Sequence, residues 1–170
     1  MPDNLWLIGM MGAGKSVVGR LVAESMGAAF VDVDSEVAAR TGCSIATLWG
    51  ESGEEAFRDM EAAAVKRIAA TRGQVVATGG GVVLRDDNVE EMRGSGLVVW
   101  LRASPEVLAG RIEPDGTRPL LADGDAGERL AEILAERRHR SERDASLTVD
   151  TDDLGPTEVA DAVEAAWTAS

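Results

Sequence analysis

The chain contains one cysteine, one histidine and no tyrosine. A lone thiol, Cys43, excludes an intrachain disulfide and any zinc site built from several cysteines, so a reducing compartment, the cytoplasm, is the expected setting. His139 is flanked by Arg138 and Arg140, a position that suits a surface residue better than a base. Positive charge is short as well: 17 Lys and Arg stand against 30 Asp and Glu, a net charge of −13. That balance opposes sequence-independent attraction to nucleic acid or to an anionic membrane and points to small-molecule partners. No apolar run approaches the length of a membrane span, and Met-Pro-Asp-Asn brings no basic region ahead of the first apolar stretch, so neither a membrane anchor nor a signal peptide is expected. Repeats and low-complexity tracts are absent too, and no linker divides the 170 residues, which leaves one domain with local insertions.

Against these absences stands one complete motif. Residues 9 to 16 read Gly-Met-Met-Gly-Ala-Gly-Lys-Ser, a G-x-x-x-x-G-K-S phosphate-binding loop directly after the apolar run Leu5 to Ile8. Its glycines permit a tight turn whose amides converge on phosphate oxygens. Lys15 supplies a point charge for the terminal phosphates, and Ser16 offers a hydroxyl to Mg²⁺. The helix that follows turns its N-terminus to the anion. The loop therefore assigns Gly12, Ala13, Gly14, Lys15, Ser16 and Val17 to nucleotide binding.

Apolar runs fall at Leu5 to Ile8, Ala28 to Val31, Gln74 to Ala77, Leu97 to Leu101 and Leu147 to Val149. Stretches of helical spacing alternate with them: Lys15 to Met26, Ser35 to Thr41, Gly53 to Thr71, Pro105 to Ile112, Ala126 to Arg143 and Thr157 to Trp167. This alternation predicts an α/β fold of three layers, α/β/α, around a parallel sheet of about five strands, with ligands beyond the strands' carboxyl ends. Residues 113 to 127, rich in Pro, Gly and Asp and carrying Arg118, read as a lid.

Three strand ends bear unusual residues: the phosphate loop, then Asp32-Val33-Asp34, then Thr78 followed by Gly79, Gly80 and Gly81. Asp32 suits metal work and Asp34 the acceptor, although Asp34 also stands where it would cap the next helix. The three glycines leave amides unshielded by any Cβ. On the helix after Gly53, Phe57, Arg58 and Glu61 share neighbouring surface; Arg58 either meets an anionic acceptor or closes a solvated salt bridge with Glu54 and Glu61. Phe57 reads as core, and Trp49 as either core or a cover for the acceptor pocket. Arginines crowd the helix from Ala126 to Arg143, and spacing alone does not choose which of them faces a ligand.

Taken in order, Gly9 to Ser16, Asp32 and Asp34, Phe57-Arg58 with Glu61, Gly79 to Gly81, and Arg118-Pro119-Leu120-Leu121 resemble the shikimate kinase family over nearly the whole chain. The resemblance implies a P-loop kinase fold with a small helical substrate-binding insertion at about residues 33 to 61 and a lid. It also implies transfer of the γ-phosphoryl group of ATP to the 3-hydroxyl of shikimate, an aromatic-biosynthesis step, by a monomer. Lys15, Asp34 and Arg118 become the catalytic residues. Ser16 and, through water, Asp32 serve Mg²⁺, and Asp34, Arg58, Gly79, Gly80, Gly81 and Arg137 hold shikimate, with the two arginines on its carboxylate. Arg111 lies beside the adenine and Arg118 approaches ATP. Two positions depart from the family pattern: Val17, where threonine is frequent, and Ser141, where tyrosine is common. Two other readings compete. One is a related kinase acting on another polyol acid or cyclitol, such as gluconate or an aminated shikimate. The other is a nucleotide-dependent switch, which the lack of an Asn-Lys-x-Asp base-reading motif opposes.

Overall fold

The computed structural model describes residues 4–111 and 126–170. Among them, five parallel strands, β1 (Asn4–Ile8), β2 (Ala29–Asp32), β3 (Gln74–Ala77), β4 (Gly96–Arg102) and β5 (Leu147–Asp150), form one sheet in the order β2-β3-β1-β4-β5. Around it lie α1 (Lys15–Met26), α2 (Val33–Thr41), α3 (Ile45–Ala69), α4 (Asp86–Ser95), α5 (Pro105–Arg111), α6 (Ala126–Asp144) and α7 (Pro156–Ala169), with one 3₁₀ turn at Val82–Leu84. No helix of the described residues is long and apolar enough to cross a membrane.

The central strand explains the layering. All of β1 is buried, as a parallel strand covered on both faces must be. Its side chains alternate: Leu5 and Leu7 pack with Val22 of α1 and Val163 and Trp167 of α7, whereas Trp6 and Ile8 pack with Val65 and Ile68 of α3 and Met92 of α4. Each such fully buried side chain contributes about 1.5–3 kcal/mol, so the two clusters hold the helices to opposite faces. Asn4 fixes the rear edge, donating from Nδ2 to the Thr71 carbonyl at 2.8 Å and accepting at Oδ1 from the Gln74 amide at 3.1 Å.

The expected three-layer fold is the observed one, with strand ends shifted by a residue or so. Two helical stretches go beyond the sequence reading. α3 begins at Ile45 and is two helices merged across Gly53, whose φ of 82° breaks the first and opens the second; Ser44 caps the earlier piece, its Oγ accepting from Thr47 N at 3.1 Å. α4 offers only Val89 and Met92 as buried apolar residues, too few to set a periodic signal. Of the expected lid, residues 113–125, with Arg118, lie outside the described residues, and Ala126 and Gly127 open α6.

Candidate active site

The carboxyl ends of β1, β2 and β3 lie side by side, because β3 separates β2 from β1 in the sheet. Over them opens a cavity of about 530 Å³, walled by Met11 to Val18, Asp32, Asp34, Thr78, Gly79, Gly80, Arg111 and Thr151, among others. It thus gathers Gly12, Ala13, Gly14, Lys15, Ser16 and Val17 with both aspartates, as the spacing predicted. In the loop, Gly12 and Gly14 take φ of 83° and 92°, a left-handed geometry that favours glycine, and Ala13 between them is buried. Lys15, 9% exposed, donates from Nζ to the carbonyls of Gly9 at 2.7 Å and Met10 at 2.9 Å, which folds its ammonium back over the loop.

The two aspartates separate cleanly. Asp32, and not Asp34, caps α2: its Oδ1 accepts from Ser35 N at 3.1 Å, while its Oδ2 accepts from Ser16 Oγ at 2.9 Å. Capping by Asp34 is therefore corrected, because Asp34 already lies inside the first turn. Its Oδ1 is buried with no hydrogen-bond partner among the described residues. Burial, reinforced by Asp32, raises its carboxyl above the ordinary 3.8, and Lys15 and Arg58 oppose the rise.

Behind Gly79 and Gly81 sits a buried group of charges. Arg58 Nη1 donates to Glu61 Oε2 at 2.9 Å, and Nη2 reaches Glu54 Oε1 at 3.4 Å. The expected pairing is present, but its Glu61 arm is not solvated: Glu61 is 0% exposed and Arg58 is buried, whereas the Glu54 side chain is exposed. The Arg58 guanidinium also lies 5.5 Å from the Trp49 ring centre and 5.1 Å from that of Phe57, so both rings wall the cation, and Phe57 belongs to the core. Burial raises the Glu61 carboxyl and the adjoining Arg58 lowers it. Sequence reasoning grouped Glu61 with Arg58 and left open an acceptor contact or a solvated bridge, because i to i+3 spacing carries no information about depth.

Arg137 comes from α6. Among the arginines of that helix whose side chains are described, it alone is buried, at 5% exposure; Arg140 bonds Val83 O and Asp86, Arg143 bonds Asp144, and Arg138 and His139 are exposed. Its Nε and Nη1 are buried without a partner among the described residues. Burial and the neighbouring Arg58 hold its guanidinium below the usual arginine range. A Cβ placed on Gly80 would lie 3.6 Å from Arg137 Nη1, which sets this cation directly behind the cavity wall. Gly81 faces Arg58 more closely still, since a Cβ there would overlap the guanidinium.

At the other end, Arg111 donates to Thr151 Oγ1 at 3.1 Å and to Thr151 O at 2.7 Å, beside Val17 and Leu154, both of which present apolar surface to the cavity. Thr151 and Leu154 escaped the sequence reading. Their position just past β5, at the same carboxyl edge as the other strand ends, was the available signal.

The model of the family described as shikimate kinase matches residues 11–167. The shikimate kinase of Thermodesulfovibrio yellowstonii is 42% identical over 160 residues, covering 94% of this chain and 92% of that protein. The chain belongs to the shikimate kinase family. That makes it a member of a phosphotransferase family, as the resemblance implied. Among solved structures, the shikimate kinase of Acinetobacter baumannii in complex with shikimate superposes with a TM-score of 0.92 at 32% identity, covering 95% of this chain and 90% of that one. A gluconokinase from Sinorhizobium meliloti gives 0.65 at 23% identity, with 99% and 93% covered, and shares the fold alone.

Proposed function

We propose that this member of the shikimate kinase family transfers the γ-phosphoryl group of ATP to the 3-hydroxyl of shikimate, giving shikimate 3-phosphate and ADP. The observation that carries the acceptor's chemistry is Arg137, a buried guanidinium with two nitrogens unpartnered among the described residues, beside the buried Arg58. Two desolvated cations in a protein of net charge −13 call for a small anionic ligand held at close range, and a carboxylate accepts from a guanidinium at two oxygens. Arg137 behind Gly80 and Arg58 behind Gly81 would hold the acid end of the acceptor while its hydroxyls point toward Asp34 in the cavity wall.

In this reading Asp34 orients the 3-hydroxyl and accepts its proton as the hydroxyl oxygen bonds to the γ-phosphorus and the bond to the β–γ bridging oxygen breaks. The raised basicity of its carboxyl suits that task. Lys15 leaves the loop carbonyls to meet the phosphates, and Arg118, assigned by family resemblance, adds a second cation to them. Such transfers depend on alignment and charge dispersal more than on covalent help from the protein. Ser16 and Asp32 fit a divalent cation: a hydroxyl and a carboxylate oxygen 2.9 Å apart at the cavity wall are the hard oxygen donors Mg²⁺ takes alongside phosphates and water. When bound, Mg²⁺ would neutralise charge developing on the phosphate oxygens. Val17, Leu154 and the Arg111–Thr151 pair would flank the adenine.

The lone thiol Cys43 supports a cytoplasmic setting. The test is ADP release from Mg-ATP with shikimate, run beside quinate, gluconate and an aminated shikimate. Turnover with shikimate at ordinary enzymatic rates supports the proposal. Turnover only with another acceptor keeps the phosphotransferase chemistry and overturns the substrate.

A further inference from the structure

The glycine run after β3 invites one explanation for all three residues, and the structure gives two. Glycine is commonly required where the backbone is left-handed, yet none of Gly79, Gly80 and Gly81 is. Gly81 sits at φ −108°, ψ 6°, a turn conformation that residues with side chains adopt. What distinguishes the three is the space where a Cβ would be. At Gly80 the nearest atoms would be Met11 N at 3.5 Å and Arg137 Nη1 at 3.6 Å, which is ordinary contact. At Gly79 a Cβ would meet Glu61 Oε1 at 2.6 Å and Asp34 Oδ1 at 3.1 Å. At Gly81 it would overlap the Arg58 guanidinium, with Cζ and Nη1 at 2.5 Å and Nη2 closer still.

We infer that Gly79 and Gly81 are positioning residues: by lacking a Cβ they let the Glu61 carboxylate and the Arg58 guanidinium lie flat against the backbone that forms the acceptor side of the cavity. The inference rests on the acceptor reading above, in which Arg58 meets the substrate's acid group. Its neighbours hold the guanidinium in this place. Trp49 and Phe57 wall it at 5.5 and 5.1 Å, Glu61 holds Nη1 at 2.9 Å, and Glu54 lies at 3.4 Å from Nη2. A methyl group on residue 81 would force it back by about 1 Å to reach ordinary contact, enough to spoil two-oxygen recognition of a carboxylate. Gly80, free of this clash, answers to a different requirement, the close approach of a ligand to the main chain.

A double-mutant cycle tests the assignment. Gly81→Ala should raise the acceptor KM about tenfold or more, with ATP affinity unchanged and kcat affected less, whereas in an Arg58→Ala background the same substitution should change the acceptor KM less than about twofold. Melting temperatures of the free proteins give a readout that needs no ligand. Gly81→Ala should lower the melting temperature when Arg58 is present and not when it is alanine, and Gly80→Ala should leave it unchanged. Equal effects of Gly81→Ala in both backgrounds would assign Gly81 to backbone geometry or direct ligand contact and overturn the inference, as would coupling in the melting temperatures with acceptor affinity untouched. Failure of the wild type to phosphorylate shikimate would instead overturn the acceptor reading, and the ligand-free cycle would still report whether the glycine seats the cation.

Discussion

Replacing Arg137 by methionine separates what this side chain does for the acceptor from what it costs the free protein. Methionine keeps much of the volume in a slot that is 5% exposed and removes the charge. Two buried nitrogens, Nε and Nη1, lose a carboxylate to which they would both donate. Truncating one partner of a buried, hydrogen-bonded charge pair costs about 2–5 kcal/mol, and because Arg58 remains as a second cation the lower half of that range applies, about 2–3 kcal/mol or roughly 30- to 150-fold in acceptor affinity. Calorimetric titration with shikimate measures it directly, and the acceptor KM should rise in step while the ATP KM stays put. The free protein should respond in the opposite sense. Burial lowers the Arg137 pKa in the folded state, so the unfolded chain holds that proton more tightly; at neutral pH both states are charged and the whole penalty opposes folding. Arg137→Met should therefore melt at the wild-type temperature or above it. Acceptor affinity within about threefold of wild type, or a melting temperature lowered by ten degrees or so, would refute the reasoning and make Arg137 a structural residue.

Lys15→Ala should lower kcat by roughly 100-fold or more, the scale of deleting one preorganised charge-stabilising group, and a rate within about twofold of wild type would remove Lys15 from the chemistry. Asp34→Asn should abolish most turnover while ATP affinity, measured by titration, changes little; parallel loss of ATP binding would place Asp34 in the metal's shell instead. The raised Asp34 carboxyl also fixes a sign: its charged form is disfavoured by folding, so the wild type should gain stability relative to Asp34→Asn as pH falls from 7 through the folded pKa toward the ordinary 3.8, and lose that gain again as pH rises. Melting curves of both proteins across that range check it, and a pH-independent difference would contradict it. Arg111→Ala should raise the ATP KM about two- to tenfold, the worth of ordinary hydrogen bonds such as the two it makes to Thr151, with the acceptor KM unchanged.

The fold was legible because its signals are local. A fully buried strand such as Leu5 to Ile8 reads as an unbroken apolar run, and Gly9 to Ser16 follows it at a spacing that joins a strand to a helix N-terminus around an anion. α4 was not legible, since a helix held by Val89, Met92 and the buried Asn88 presents almost no apolar stripe among Asp86, Asp87, Glu90 and Glu91. The start of α3 was hidden by Gly53, which looks in the sequence like a helix beginning, as it is, and conceals that another helix ends there.

The phosphate loop, Asp32 and Asp34 were legible as residues of one sheet edge; Thr151 and Leu154 were not, nor was the depth of any side chain. Asp32 and Asp34 are indistinguishable by type; only the ladder register that ends β2 at Asp32 puts one carboxylate on the α2 cap and Ser16 and turns the other inward. Glu61 reads as a solvated partner until packing buries it completely. These depths bear on function, because burial disfavours charge in the free site on both signs at once: it raises the carboxyls of Asp34 and Glu61 and lowers the guanidinium of Arg137. Glu61 already has Arg58, but Asp34 Oδ1 and two nitrogens of Arg137 lack partners among the described residues, and a ligand that carries a hydroxyl for one and a carboxylate for the other relieves both penalties when it binds. An acceptor missing either group leaves one of them buried and unsatisfied, which is a steeper discrimination than added contacts alone can provide. On the proposed function, specificity for a hydroxy acid would reside in groups the folded protein keeps at a disadvantage until that ligand arrives.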